Sequence, residues 1–174
     1  FLDYEKAFDR VSHRKLLLKF KQILKNDSLL AWIEAYLSCR YQCVTVGGTN
    51  SPSAPVQSGI PQGSVLGPLF FLVFINDIVR DIPVKIRLFA DDCVLYQEVN
   101  DPSDQLLLND SLSKIQDWCT KWQMNINPKK TVAMTITLKK DPLKFRYNLG
   151  NHSLSFVSQY TYLGLVITSD LRWN

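Results

Sequence analysis

Apolar residues recur along the chain in two periods, near 3.6 and near 2, and the switches between them mark its elements. Phe1 to Tyr4 reads as the end of a strand, and Ser12 as the N-cap of a helix with Leu16, Leu17, Phe20, Ile23 and Leu24 on one face. Asn26-Asp27 opens a second helix whose stripe of Leu30, Trp32, Ile33, Tyr36 and Leu37 belongs to the core. Tyr41 to Val46 alternates as a strand does, Gly47-Gly48 turns it, and the Ser-, Pro- and Asn-containing stretch from Thr49 to Pro55 predicts a hairpin with a longer loop. A polar, glycine-punctuated loop, Gln57 to Ser64, leads into an apolar helix, Val65 to Val79, with Pro68 tolerated in its first turn.

The next segments, Lys85-Ile86-Arg87-Leu88 and Cys93-Val94-Leu95-Tyr96, read as strands that flank Phe89-Ala90-Asp91-Asp92, a hairpin tip. Ser103 is the expected cap of a long helix through Trp122, with Leu106, Leu107, Ile115, Trp118, Cys119 and Trp122 on its buried side and Asn127-Pro128 as its stop. Thr131 to Leu138 is a β-branched run and predicts a strand. Further strands are expected around Phe145-Arg146-Tyr147, from Ser153 to Val157 and from Thr161 to Thr168, the first two separated by a turn at Gly150-Asn151. This order implies an α+β fold, an antiparallel sheet with helices packed on one face.

With 46% hydrophobic and 21% charged residues over 174 positions, the composition is that of a globular chain long enough to bury a core. The net charge of +4 is a mild basic bias that suits a polyanionic partner. Part of it comes from Arg10 with Arg14 and Lys15, from Lys129-Lys130 and from Lys139-Lys140, whereas Lys19, Lys21 and Lys25 read as solvated helix positions. Cys39, Cys43, Cys93 and Cys119 lack the paired spacing of a zinc site and read as reduced thiols of an intracellular protein. No signal peptide is recognisable, and the longest apolar run, Val65 to Ile75, is broken by Gly67-Pro68 and too short to span a bilayer, so a membrane role is not expected. The abrupt start at Phe1 and the stop at Ser169-Asp170-Leu171-Arg172-Trp173-Asn174 give the expectation of an internal fragment of a longer polypeptide.

Two adjacent carboxylates at a tight turn gain nothing for a core and repel each other. At about 4 Å and an effective dielectric of 20 the repulsion is on the order of 4 kcal/mol, which a bound cation would offset; the alternative is a solvated Asp-rich turn, since aspartate favours turns. Asp3, at the end of the first strand, is the candidate partner of Asp91. Carboxylates from two strands of one sheet can hold a pair of magnesium ions that stabilise the attacking and leaving oxygens of an in-line phosphoryl displacement.

Phe1-Leu2-Asp3-Tyr4-Glu5-Lys6-Ala7-Phe8-Asp9, Ser58-Gly59-Ile60-Pro61-Gln62-Gly63-Ser64 and Phe89-Ala90-Asp91-Asp92 resemble, in this order, the first three palm motifs of a reverse transcriptase. The closest likeness is to the non-LTR (LINE-like) retrotransposons. Asn127-Pro128-Lys129-Lys130-Thr131 and Tyr162-Leu163-Gly164 resemble the next two motifs, so the likeness runs from Phe1 to about Ile167. It implies a polymerase palm over residues 1–158, with the fingers missing, and a primer-grip-like hairpin with the start of an incomplete thumb connection over residues 159–174.

The resemblance also implies site residues. Asp3 and Asp91 correspond to the metal-ligating aspartates, with the carbonyl of Leu2 or Tyr4 as a further oxygen ligand, and Asp92 to the third carboxylate, supportive at the site. The ions would be two Mg2+, with Mn2+ as a substitute. Phe8 corresponds to the steric gate against a ribose 2′-hydroxyl, which favours a DNA product. Pro61, Gln62, Gly63 and Ala90 correspond to nucleotide-contacting positions, and Ser58, Gly59, Tyr162, Leu163 and Gly164 to nucleic-acid contacts. Lys130 corresponds to a lysine near the pyrophosphate leaving group. Asp9 is expected to organise the turn into the following helix, and Glu5 to stand outside the metal pair.

The implied partners are an RNA template, a DNA primer, deoxynucleoside triphosphates and the remainder of the parent polypeptide: fingers, thumb and, in some elements, an endonuclease. Nucleus and cytoplasm both suit such a protein. The alternatives are an inactive remnant or a domesticated nucleic-acid-binding module, and another palm polymerase, such as an intron maturase or an RNA-synthesising enzyme that Phe8 disfavours.

Overall fold

The computed structural model describes residues 1–140, 142–143 and 145–172, so Trp173-Asn174, the end of the expected thumb connection, lie outside the described residues. The chain divides into two compact units, Lys6–Asp77 and Phe1–Glu5 with Ile78–Asn174.

In the unit Lys6–Asp77, helices α1 (Ala7–Arg10), α2 (His13–Ile23), α3 (Asp27–Leu37) and α4 (Leu66–Ile75, continued by a 3-10 turn, Asn76–Val79) carry the core. Asn26 caps α3 by accepting the Leu29 N–H at 3.0 Å, whereas Ser12 stands at the N-cap of α2 without a side-chain bond. The core centres on the fully buried Phe70, Phe71 and Phe74 of α4. Phe20 of α2 and Tyr36 of α3 meet Phe70 edge-on, at centroid distances of 5.1 and 5.8 Å. Ile23 and Trp32, expected in the core, are instead 62% and 51% exposed, because only the stripes through Leu16 and Phe20 and through Ile33 and Leu37 turn inward.

Lys19 corrects the sequence expectation of a solvated position. It is 3% exposed, donates to the Phe74 carbonyl at the end of α4, pairs with Asp77 and lies 4.9 Å from the Phe74 ring centroid. A cation at a helix C-terminus satisfies a carbonyl left without an intrahelical partner and complements the helix dipole. Replacing Lys19 by Met leaves Asp77 without this cation and is expected to lower stability by about 2–3 kcal/mol. The change Lys21→Met at an exposed position should stay within about 0.5 kcal/mol. Urea denaturation compares the two, and equal losses would refute the buried pair.

Between α3 and α4 the chain forms a hairpin arm. Strand β1 (Tyr41–Gln42) pairs with β4 (Ala54–Pro55), and β2 (Thr45–Val46) pairs with β3 (Thr49–Asn50) around Gly47-Gly48. The run from Tyr41 to Val46 is therefore two short strands rather than one.

The other unit holds β5 (Lys85–Phe89), β6 (Asp92–Tyr96), helix α5 (Pro102–Trp122), β7 (Val132–Ala133), β8 (Asn148–Leu149), β9 (His152–Ser153), β10 (Ser155–Phe156), β11 (Gln159–Tyr162) and β12 (Leu165–Thr168). The cap of α5 is Asp101, two residues ahead of the expected Ser103. Its carboxylate accepts from Ser103 and Asp104 in a capping box, and Pro102 occupies the first turn, where its missing N–H costs nothing. The helix ends at Gln123, whose φ of 62° terminates it before Asn127-Pro128. Leu112, Ile115, Cys119 and Trp122 form the buried stripe, while Leu106 and Leu107 face solvent.

Strand pairing departs from a single antiparallel sheet. Two-stranded ladders dominate, and β7 with β10 is parallel. Backbone bonds of the first residues nevertheless join several of them. Leu2 bridges Cys93 of β6, and Phe1 exchanges two bonds with Val132 of β7, at 3.0 and 3.1 Å. The resulting order is β5, β6, residues 1–4, β7, β10. The expected strand Thr131 to Leu138 contracts to Val132–Ala133. Pairing expected at Phe145 to Tyr147 begins instead at Asn148 and turns at Gly150-Asn151, and Leu163-Gly164 splits the expected strand Thr161 to Thr168 into the hairpin β11–β12. The four cysteines are free thiols, Cys93 and Cys119 buried, Cys39 and Cys43 exposed. Among the described residues no helix is long and apolar enough to cross a membrane.

Candidate functional site

The β5–β6 hairpin matches the expected placement of the acidic pair. Register pairs Phe89 with Asp92 and Leu88 with Cys93, which leaves Ala90 and Asp91 as a two-residue turn. Ala90 has φ of 52°, a left-handed conformation that two-residue hairpin turns require and that alanine adopts only under strain. Side chains alternate along a strand, so Leu88 and Cys93 point to one face, and Phe89 and Asp92 to the other.

The antiparallel bridge between Leu2 and Cys93, with the Leu2 N–H donating to the Cys93 carbonyl at 2.8 Å, sets the third carboxylate. Leu2 and Cys93 are 4% and 1% exposed, and the next pair along, Asp3 and Asp92, therefore shares the opposite, open face. Directly opposite residues of antiparallel strands have Cβ atoms about 4.5–5.5 Å apart. Asp3 is held in place through its backbone: its N–H donates to the Thr131 hydroxyl at 3.2 Å, and its carbonyl accepts the Asn127 N–H at 2.7 Å. Thr131 is fully buried, so the motif around Asn127-Pro128 braces the strand that carries Asp3.

The crowding of negative charge has a consequence for Asp92. Partial burial, and then the charges of Asp91 and Asp3, push its carboxyl above the ordinary value of 3.8. The folded state thus keeps this proton longer than the unfolded chain does, and stability is lost as pH rises from 3.8 through the raised value. In the presence of a chelator Asp92→Asn is expected to raise the melting temperature at neutral pH. The gain should vanish below about pH 3.8, where both states are protonated. A gain that persists in acid would show that charge is not its source.

Sequence reasoning assigned Tyr162 to this site but missed Tyr160 and the aromatic edge that the two form with Phe1. Tyr160 of β11 stacks on Phe1 at 4.2 Å, and Tyr162, on the same face two residues on, meets Phe1 at 5.6 Å in a tilted geometry. Burial first, then Asp3 and Asp92, raise the Tyr160 phenol; burial first, then Asp92, raises that of Tyr162. The alternation Tyr160, Thr161, Tyr162 is the only local signal of it. Leu163 and Gly164 form the tip of β11–β12, with φ of 50° and 81°. Lys130 is exposed, in the turn whose N–H returns to the Asn127 carbonyl at 3.3 Å.

The unit Lys6–Asp77 holds the remaining predicted residues and brings them together. Ser58 donates to the Asp9 carbonyl at 2.9 Å, and Gln62 donates to the Asp9 carboxylate at 3.0 Å. The Ile60 N–H bonds the Phe8 carbonyl at 2.9 Å, and the Gly59 N–H bonds the Val11 carbonyl at 2.8 Å. The loop expected to contact a nucleotide is thereby laced to residues 8–11, and Asp9 serves that loop, beyond the turn it was expected to organise. Phe8 stacks on Phe71 at 4.4 Å with its ring half-buried. Pro61 is half-buried, while Gln62 and Gly63 are exposed.

The donor set of Asp3, Asp91 and Asp92 is one of hard carboxylate oxygens, suited to Mg2+. Among the described residues no three His, Cys, Asp or Glu side chains form a ready-made cage. Mg2+ is in general held through one or two carboxylates, with water and substrate phosphates completing the shell.

Comparison with known proteins places these residues in context. Residues 1–167 match the family described as reverse transcriptase (RNA-dependent DNA polymerase). The chain is 31% identical over 186 residues, 99% of its length, to the RNA-directed DNA polymerase from mobile element jockey of Drosophila funebris. It is 33% identical, again over 99% of its length, to the probable RNA-directed DNA polymerase from transposon BS of Drosophila melanogaster. A more distant relative, at 28% identity over 97% of the chain, is a retrovirus-related Pol polyprotein from a type-1 retrotransposable element R2 of Nasonia vitripennis. The chain spans about a fifth of the length of these relatives: 20%, 20% and 18%.

Proposed function

Because the chain belongs to the reverse transcriptase family, we propose that it supplies the catalytic carboxylates of an RNA-templated DNA polymerase of the non-LTR retrotransposon type. The observation that carries this reading is the pairing of Leu2 with Cys93, which sets Asp3 and Asp92 on one face of the sheet next to Asp91. Three carboxylates on an open face, braced from behind by Thr131 and Asn127, suit the oxygen-rich shell that a nucleotidyl transfer requires.

In this reading Asp3 and Asp91 hold two Mg2+ ions, with Asp92 supporting them. When bound, the ions lower the charge on the reacting phosphate and favour the ionised form of the attacking 3′-hydroxyl. The chain's own residues do the rest. Phe8 excludes a ribose 2′-hydroxyl and so selects deoxynucleotides. Gln62, fixed by Asp9, and the glycines beside it present a close-approach surface for nucleotide and template. Lys130 neutralises the leaving pyrophosphate. Tyr162, Leu163 and Gly164 hold the primer end.

The test joins this chain to the segments that flank the matching region in the jockey-type relatives. The joined polypeptide should extend a DNA primer on an RNA template with deoxynucleotides and Mg2+. Equal extension by its Asp91→Ala variant would overturn the assignment.

A further inference from the structure

Beyond the carboxylates, the open face of the β5–β6 hairpin carries a second feature. The register that pairs Lys85 with Tyr96, Arg87 with Val94 and Phe89 with Asp92 puts these six side chains on one face. Lys85, Arg87, Phe89 and Tyr96 are exposed, while the alternate residues Ile86, Leu88 and Cys93 turn toward the protein. Lys85 and Arg87 both lie over the Tyr96 ring, at 6.0 and 5.7 Å from its centroid. Among the described residues neither is paired with a carboxylate, in contrast to Lys114 with Asp110 and Arg172 with Asp170. Arg87 donates to its neighbour's carbonyl, that of Ile86, at 2.9 Å.

The spacing gives this ridge a direction. At about 3.4 Å per residue, Arg87 stands roughly 7 Å from the level of Asp92, and Lys85 roughly 14 Å. Cations two residues apart on a strand therefore recur at a spacing comparable to that of successive phosphates along one nucleic-acid strand. The sheet face thus presents carboxylates at the tip and a line of unpaired cations leading away from them.

We propose that Arg87 and Lys85 form a phosphate-binding ridge for the primer strand. This rests on the polymerase reading, which places the primer 3′-hydroxyl at the carboxylates; the strand that continues from that hydroxyl along the same face is then the primer, not the template. Tyr96 holds the two cations extended over its ring, so less side-chain freedom is lost when they meet phosphate. Its position beneath both cations also keeps them on the open face.

The experiment measures binding of this chain to a DNA primer annealed to an RNA template, over a series of salt concentrations. Lys85→Gln with Arg87→Gln should weaken binding about tenfold at about 50 mM salt and reduce the slope of log affinity against log salt by roughly 1.5, the release expected for two phosphate contacts. Lys21→Gln with Lys25→Gln, which removes the same charge at exposed positions elsewhere, should leave the slope nearly unchanged. Uncharged methylphosphonate linkages at the second and third phosphates from the primer 3′ end should weaken the unsubstituted chain and abolish its advantage over the double variant. The same linkages in the template strand should do neither.

An unchanged salt slope in the Lys85, Arg87 variant, or an equal effect of template substitution, would overturn the ridge. Its failure is separable from that of the polymerase reading. Primer extension that depends on Asp91, together with an unchanged slope, refutes the ridge alone. A slope that falls as expected without any Asp91-dependent extension refutes the polymerase reading and leaves a nucleic-acid-binding face.

Discussion

In the polypeptide joined to its flanking segments, the proposed activity implies that Asp3→Asn and Asp91→Asn each reduce single-turnover primer extension by roughly 10³-fold, and Asp92→Asn by only about tenfold. The ranking follows from how each carboxylate is held. Asp3 is fixed through both backbone groups, by the Thr131 hydroxyl and the Asn127 N–H, so its side chain leaves a rigid strand toward the open face. Asp91 stands in the two-residue turn itself, its direction set by the left-handed Ala90. Asp92 lies in the β5–β6 ladder, where burial and then its two acidic neighbours raise its carboxyl above the ordinary value. Set in the ladder rather than at the turn, it is placed to support the two ligands. Asparagine preserves the shape in each case, so the losses report charge rather than packing, and unchanged or raised melting temperatures would confirm it. A larger loss at Asp92 than at Asp3 would reverse the division of roles.

The parts of this site legible in the sequence were those with a short-range signal. Lys85 to Tyr96 contains two alternating arms around a four-residue acidic tip, and both strands formed where the pattern put them. The partnership of Asp3 with that tip has no local signature, since it depends on one bridge between residues 2 and 93. The aromatic edge was lost for the same reason: nothing near Tyr160 announces Phe1. Local propensity also misled where tertiary pairing decided. The β-branched run after Thr131 finds a ladder partner only for Val132–Ala133, opposite Ser155–Phe156. The N-terminus of α5 followed the stronger chemistry of an aspartate before proline over a serine two residues later. Lys19 shows the limit of reading charge as exposure, because its partners, the Phe74 carbonyl and Asp77, are supplied by a helix more than fifty residues away.

Gly59→Ala is expected to cost the fold of the Lys6–Asp77 unit about 3 kcal/mol. Two independent effects add at this position. Its φ of 89° lies where a side chain is strained, and an added Cβ would stand 2.9 Å from both the Cα and the carbonyl oxygen of Asp9, backbone atoms that cannot swing aside. The surrounding bonds leave little slack: the Gly59 N–H is held by the Val11 carbonyl at 2.8 Å, and the Gly59 carbonyl is 2.7 Å from His13 Nε2. Gly63 provides the comparison, because its φ of 79° is similar but nothing lies within 4 Å of a Cβ there. Gly63→Ala should therefore carry only the conformational term, about 1–2 kcal/mol. The difference between the two variants in urea denaturation isolates the contact with Asp9. If it is real, Gly59→Ala must also displace Ser58 and Gln62 from Asp9, so the same change disturbs the loop proposed to meet the nucleotide. Equal losses for the two glycines would show that the loop does not depend on close approach to Asp9, and that its glycines serve the turn alone.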